Sequence, residues 1–231
     1  MHAVYYDTET TGVNTSSDYI VEIAAYDPVK KVSFESFVKP PVPIPPGATA
    51  IHNITDEMVA DASDFSVIAK EFVAFCGDDA VLIAHNNDNF DLPMLRSEFQ
   101  RHGVEMPEWK FVDSLEWARR YRADLPRHAL QFLREIYEIP ANKAHRALDD
   151  VIVLQQVFEK MTGDLTIEQI YKLLKVPREL KTMPFGKHRG KPLKEVPKDY
   201  IRWMSENGAF EKTENHALKE KFAELGLLPT S

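Results

Sequence analysis

The chain has 231 residues, 44% of them hydrophobic and 28% charged, enough apolar material for one full domain and a smaller one. Its net charge of −8 argues against a general nucleic-acid binder held by charge alone. No apolar run is long enough to span a membrane, and the single cysteine, Cys76, excludes an intramolecular disulfide and fits a reducing cytoplasm.

The opening residues 1–7 lack a basic stretch followed by an apolar run, so they read as a strand over 2–7 that ends in acids, not as a signal peptide. Residues 20–27 and 32–38 alternate in polarity with turn signals between them, which predicts an antiparallel meander. The proline-rich stretch 40–47 reads as an exposed extended loop, neither helix nor central strand. Helical periodicity follows at 64–76, with Cys76 in its apolar run. A short buried strand is expected at 80–84 and a helix over 91–102. Further helices are expected over 113–121, 128–138, 146–161 and 166–175. Strands followed by alternating strand and helix point to an α/β fold, a mixed sheet with helices on both faces.

Near residue 176 the character changes. Gly186-Lys187-His188-Arg189-Gly190-Lys191-Pro192 is a basic turn, and helices are expected over 197–206 and 213–225. Two domains follow, 1–175 and 176–231. Residues 1–174 hold 16 Lys and Arg against 28 Asp and Glu, whereas residues 175–231 hold 12 against 8.

Asp7 and Glu9 lie two apart at the end of the first strand, so both carboxylates face one side. Such a pair is common as a solvated strand end, but the turn Thr10-Thr11-Gly12 behind it favours an exposed site. Asp91 opens a helix after the polar turn His85-Asn86-Asn87-Asp88-Asn89-Phe90, where an acid often serves only as a cap. Asp88 is an equal candidate on position alone. Asp149 and Asp150 stand in the first turn of an apolar helix, five residues and fewer beyond His145.

Taken in order, Asp7-x-Glu9, Asn-x-x-x-Phe90-Asp91 and His145-x-x-x-x-Asp150 resemble the DEDDh family of 3′→5′ exonucleases, part of the proofreading-exonuclease superfamily. The segment Ala50-Ile51-His52-Asn53-Ile54-Thr55 is similar to the family's connecting motif. Many members have one residue fewer between the His-Asn pair and Phe-Asp, and some polymerase-associated members share the spacing seen here. The resemblance implies a ribonuclease H-like domain with a five-stranded mixed sheet and the acids at one edge. It implies Asp7, Glu9, Asp91 and Asp150 as ligands of two divalent cations, Mg2+ with Mn2+ as the alternative, with Asp7 bridging and Asp91 acting mainly through water. His145 would be the general base. It further implies release of nucleoside 5′-monophosphates from single-stranded 3′ ends or frayed duplex ends of DNA, with repair or recombination as the setting.

For the terminal nucleotide, Thr10, Thr11 and Gly12 can offer hydroxyl and backbone groups to the 3′-OH. Val13, Ile51 and Phe90 are candidates for apolar contact with the base, or ordinary core residues. The longer spacing leaves the parts of His85 and Asn86 in substrate binding open. Met183–Pro192, with Val196-Pro197 and Tyr200–Met204, looks like the C-terminal module of exonuclease X-like proteins. Lys187, Arg189 and Lys191 are candidate phosphate contacts there; Tyr200 and Trp203 among them can stack on the bases of a single strand, or, recurring with Met204 at the spacing of a helix's buried face, form the module's own core. Two alternatives stand beside a DNA exonuclease: an RNA-trimming exonuclease of the same superfamily, and a nucleic-acid-binding adaptor with a dead site.

Overall fold

The computed structural model describes residues 1–140, 147–176, 180–212 and 215–228. They fall into two compact units, Met1–Lys175 and Val176–Ser231. The first unit is built on β1 (His2–Thr10), β2 (Ile20–Asp27), β3 (Val32–Phe37), β4 (Ala80–Ala84) and β5 (Lys110–Asp113), in the order β3-β2-β1-β4-β5. The β1–β2 and β2–β3 pairs are antiparallel, while β4 pairs parallel to β1 and to β5. This is the mixed five-stranded sheet expected.

Period-two alternation in β1 divides its side chains between two cores. Val4 and Tyr6 pack with Ile68 and Phe72 of α3 (Phe65–Cys76) and with Met94 and Leu95 of α4 (Asp91–Arg101). Tyr5 faces the other side, against Val151, Leu154 and Phe158 of α7 (Ala147–Thr162) and Trp117 of α5 (Ser114–Tyr121). Asp7 and Glu9 continue the Tyr5 stripe, and Thr8 continues the Tyr6 stripe. The first core is dense in aromatics, with Phe72 edge-on to Trp109 at 5.7 Å between ring centroids. Truncating such a buried ring costs about 3–5 kcal/mol.

Several expectations are corrected. β1 runs on to Thr10 rather than stopping at 7, so the paired acids lie inside the strand. They stand on the central strand, near its carboxyl end, and not at an edge of the sheet. The proline-rich stretch does not stay extended throughout, since α1 (Pro46–His52) begins on Pro46. Proline is tolerated there because the first helical N–H has no intrahelical acceptor to lose. The four residues of β5 are too short a run for alternation to register, so this strand had no place in the expected element list. A short helix α2 (Asp56–Val59) precedes α3, and α6 (Leu130–Ile136) and α8 (Ile167–Lys175) complete the unit.

The second unit has its own core of Met183, Leu193, Val196, Ile201, Met204, Phe210, Leu218 and Phe222. Its α-helices among the described residues are α9 (Lys198–Glu206) and α10 (His216–Glu224), preceded by 3-10 turns at Gly186–His188 and Leu193–Glu195. Before α9 the chain doubles back: Met183 N–H donates to Lys191 O at 2.8 Å, and Gly190 N–H to Met183 O at 2.7 Å. Among the described residues no helix is long and apolar enough to cross a membrane.

Candidate active site

Three carboxylates meet on the α7 side of the sheet. Ligand oxygens of Asp7, Glu9 and Asp150 all lie within 4.8 Å of one another. β1 supplies two of them through its alternation, and the first turn of α7 supplies the third. They line a cleft of about 330 Å3 together with Thr8, His85, Ala129, Leu130 and Gln131.

Asp91 reaches this place from the opposite side. It is buried at the start of α4, and the Thr8 hydroxyl donates to its Oδ1 at 2.9 Å. Thr8 thus carries a link through the strand: its neighbours Asp7 and Glu9 point into the cleft while its own side chain holds Asp91 behind them. Asp88, the rival acid, is exposed and accepts from the Asn87 side-chain amide at 3.0 Å.

The electrostatics follow from this crowding. Burial, then the charges of Asp91, Glu9 and Asp150, raise the Asp7 carboxyl well above the usual range. Burial likewise lifts Asp91 to about 7, against the opposing effect of the Thr8 hydrogen bond. Clustered acids that resist losing their protons are relieved by a cation among them. The donors are all hard carboxylate oxygens, with room left in the cleft, so the set fits a divalent cation that prefers oxygen ligands.

A scaffold of hydrogen bonds orients the cluster. The Gln131 side-chain amide on α6 donates to Asp150 Oδ1 at 3.0 Å, and Arg134 Nε donates to Gln131 Oε1 at 2.8 Å. Glu22, fully buried and opposite Glu9 in the register, accepts from Ala147 N–H at 3.1 Å and fixes the first turn of α7. Asp113 caps α5 by accepting from Leu115 N–H at 2.8 Å and Glu116 N–H at 3.3 Å. The same carboxylate accepts from Asn86 N–H at 3.0 Å and Asp88 N–H at 3.1 Å. It therefore shapes the turn that delivers Asp91. Asn87 is buried in that turn and accepts from the Tyr6 hydroxyl at 2.5 Å. None of Thr8, Glu22, Asp113 or Gln131 was singled out from the sequence.

The remaining candidates divide. Thr10 and Thr11 are buried with their hydroxyls engaged: Thr10 donates to Gly12 O at 2.6 Å and Thr11 to Asp18 Oδ1 at 3.0 Å. These hydroxyl bonds hold the loop together. A Cβ on Gly12 would come within 2.6 Å of the Asp18 carboxylate, so the turn itself needs glycine. Val13 and Ile51 are 84% and 58% exposed, which removes the core reading for both. Phe90 is half-buried against the α3–α4 core. His52 accepts from Ile54 N–H at Nδ1, so its Nε2 donates to Thr10 O at 3.3 Å, tying the end of α1 to the end of β1.

His85 borders the carboxylates and pairs through Nδ1 with the Ser114 hydroxyl at 2.8 Å. Burial lowers its pKa to about 4, so the ring is neutral at physiological pH. Asn86 adopts a left-handed conformation, φ 67, and lines an adjoining cleft with His85, Arg119 and His128. Lys187, Arg189 and Lys191 belong to the second unit, the first two exposed and Lys191 partly buried. His145 lies outside the described residues.

A protein family described as exonuclease matches residues 4–158. The chain belongs to this family. Among curated relatives, the PolC-type DNA polymerase III of Caldanaerobacter subterraneus subsp. tengcongensis is 35% identical over 165 residues, covering 70% of this chain and 12% of that protein. The PolC-type polymerase of Streptococcus sanguinis is 31% identical, covering 75% and 13%. The chain thus spans about one eighth of the length of these relatives. Among solved structures, exonuclease X in complex with 5′-overhanging duplex DNA is 26% identical, with a TM-score of 0.55, covering 74% of this chain and 99% of that one. E. coli exonuclease I bound to a dA16 oligonucleotide shares the fold at 19% identity, with a TM-score of 0.61 and coverage of 74% and 42%. Residues 170–219 match a second family, described as putative quorum-sensing-regulated virulence factor.

Proposed function

We propose that the protein hydrolyses the terminal phosphodiester bond of DNA from the 3′ end and releases nucleoside 5′-monophosphates. The observation that carries this reading is the gathering of Asp7, Glu9 and Asp150 within 4.8 Å in an open cleft, with Asp91 held behind them. The DNA-bound state of exonuclease X supports DNA as the substrate class.

Asp7, Glu9 and Asp150 would hold divalent cations, with Asp91 contributing from the far side of β1. Two such cations supply charge neutralisation for the attacking and leaving oxygens of a phosphoryl displacement. The chain's own groups do the rest. Gln131 keeps one Asp150 oxygen occupied and so fixes which lone pairs face the cleft. Thr8 does the same for Asp91. His145 takes the proton of the attacking water, a task suited to an imidazole with pKa near neutrality. Water oxygen bonds to phosphorus, the bond from phosphorus to the 3′-oxygen breaks, and a new 3′-OH remains on the shortened strand. Val13 and Ile51, both exposed near the β1 end, offer apolar surface to the terminal base.

The test uses DNA and RNA oligonucleotides of one sequence, labelled at the 5′ end, with Mg2+ or with EDTA. A metal-dependent ladder shortening from the 3′ end of DNA, with RNA spared, is expected. A faster RNA ladder would move the substrate to RNA, and binding without cleavage of either would overturn the enzymatic reading.

A further inference from the structure

The second unit carries an aromatic surface that its own packing does not require. In α9, Ile201 and Met204 are fully buried, but Trp203 is 53% exposed. The other tryptophans, Trp109 and Trp117, are 6% and 2% exposed. The helical spacing of Tyr200, Trp203 and Met204 left a shared buried face and an exposed stacking surface as alternatives, and the exposure of Trp203 removes the first for that residue. Ile201 takes the buried position, leaving Tyr200 and Trp203 on the flank.

That flank is ordered. Tyr200 and Trp203 stack with ring centroids 5.7 Å apart and planes 20° apart. His188 meets Tyr200 edge-on at 4.6 Å. Gly186, at φ 72, lies so near the Tyr200 hydroxyl that a Cβ there would collide with it. The basic turn is thereby brought against the aromatic pair. It carries Lys187 and Arg189, both exposed, and among the described residues neither is in an ion pair. Arg202 adjoins Trp203 in the chain and makes a long contact of 3.8 Å with Asp199.

We propose that this face binds single-stranded nucleic acid, with bases stacking on the Tyr200–Trp203 pair and phosphates contacting Lys187, Arg189 and Arg202. Stacking on aromatic rings beside a basic track is how single strands are held without sequence preference. Charge favours this occupant over a protein groove: residues 176–231 hold 11 basic against 8 acidic side chains, the reverse of the balance in the rest of the chain. All of these residues belong to the second unit, and binding there requires no hydrolysis.

The test is a titration of the full chain with oligothymidylate in EDTA, read by intrinsic tryptophan fluorescence and by anisotropy of a labelled oligonucleotide. Because Trp109 and Trp117 are buried, quenching reports Trp203. Quenching is expected, and Trp203→Leu should abolish it and weaken binding about tenfold. Trp203→Phe, which keeps a stacking ring, should recover affinity. Lys187→Gln with Arg189→Gln should lower the slope of log affinity against log salt by about 1.4. Thermal melts of each variant separate lost binding from lost folding. Absence of quenching, or wild-type affinity and salt slope in folded variants, would overturn the proposal and leave the face to a protein partner.

Discussion

At the scale of single residues, the site is a set of acids held in a state they would not choose alone. Asp91 folds with a pKa of about 7, above the usual carboxylate value, so the native chain retains a proton that the unfolded chain releases. The unfolded state is favoured as pH rises through this window, and the contribution of Asp91 to stability is lost between about pH 4 and 7. Asp7 acts in the same direction. The melting temperature of the metal-free chain should therefore fall across this range, less so in Asp91→Asn, and added Mg2+ should raise it more at pH 7.5 than at pH 5. Differential scanning calorimetry with EDTA or Mg2+ checks this. Activity should separate direct from supporting groups. Asp150→Asn should lower kcat at least about a hundredfold, since it removes a charge the transition state relies on. Gln131→Leu, which removes one hydrogen bond to that charge, should cost about tenfold, measured as single-turnover rates. Strand alternation and helix starts marked each of the four acids only as a candidate, with Asp88 level with Asp91, and it was the order of the three motifs, through the family they resemble, that picked out the set. Thr8 and Gln131 left no mark: their partners lie 83 and 19 residues away, and an ordinary threonine or glutamine looks the same wherever it points.

At the scale of elements, Asp113 joins two jobs. It caps α5 and accepts from two amides of the turn before α4, so one carboxylate serves four backbone donors. Asp113→Ala should destabilise the fold by more than the roughly 1 kcal/mol of a simple cap, because buried amides are also left without acceptors. It should lower activity too, through the displaced Asp91 turn. Asp113→Asn should recover part of both, as seen by urea melts and initial rates. Long elements with strong periodicity, such as α3 and α7, were readable from sequence. β5 was not, because four residues carry less than one period of useful contrast. The start of α1 at Pro46 was missed for a different reason: proline forbids a helix interior but suits its first turn.

At the scale of the whole molecule, the division at residue 175 separates an acidic unit from a basic one. A chain ending at 175 should keep its fold and still cut short oligonucleotides. It should bind longer single strands less tightly, with a shallower dependence on salt, because fewer phosphates are contacted. Anisotropy titrations at several salt concentrations measure this. Within the first unit, β1 acts as a ruler. Odd positions deliver Asp7 and Glu9 to one side, even positions deliver Thr8 to the other, and the alternation breaks only at the bulge between Glu9 and Thr10. Sliding this strand by one step would exchange acids for hydroxyls and bury charge where Tyr6 now packs. Evolution can therefore lengthen the loops around the cleft freely, but a single insertion within Tyr5–Glu9 would scatter the carboxylate cluster and unseat the core at one stroke.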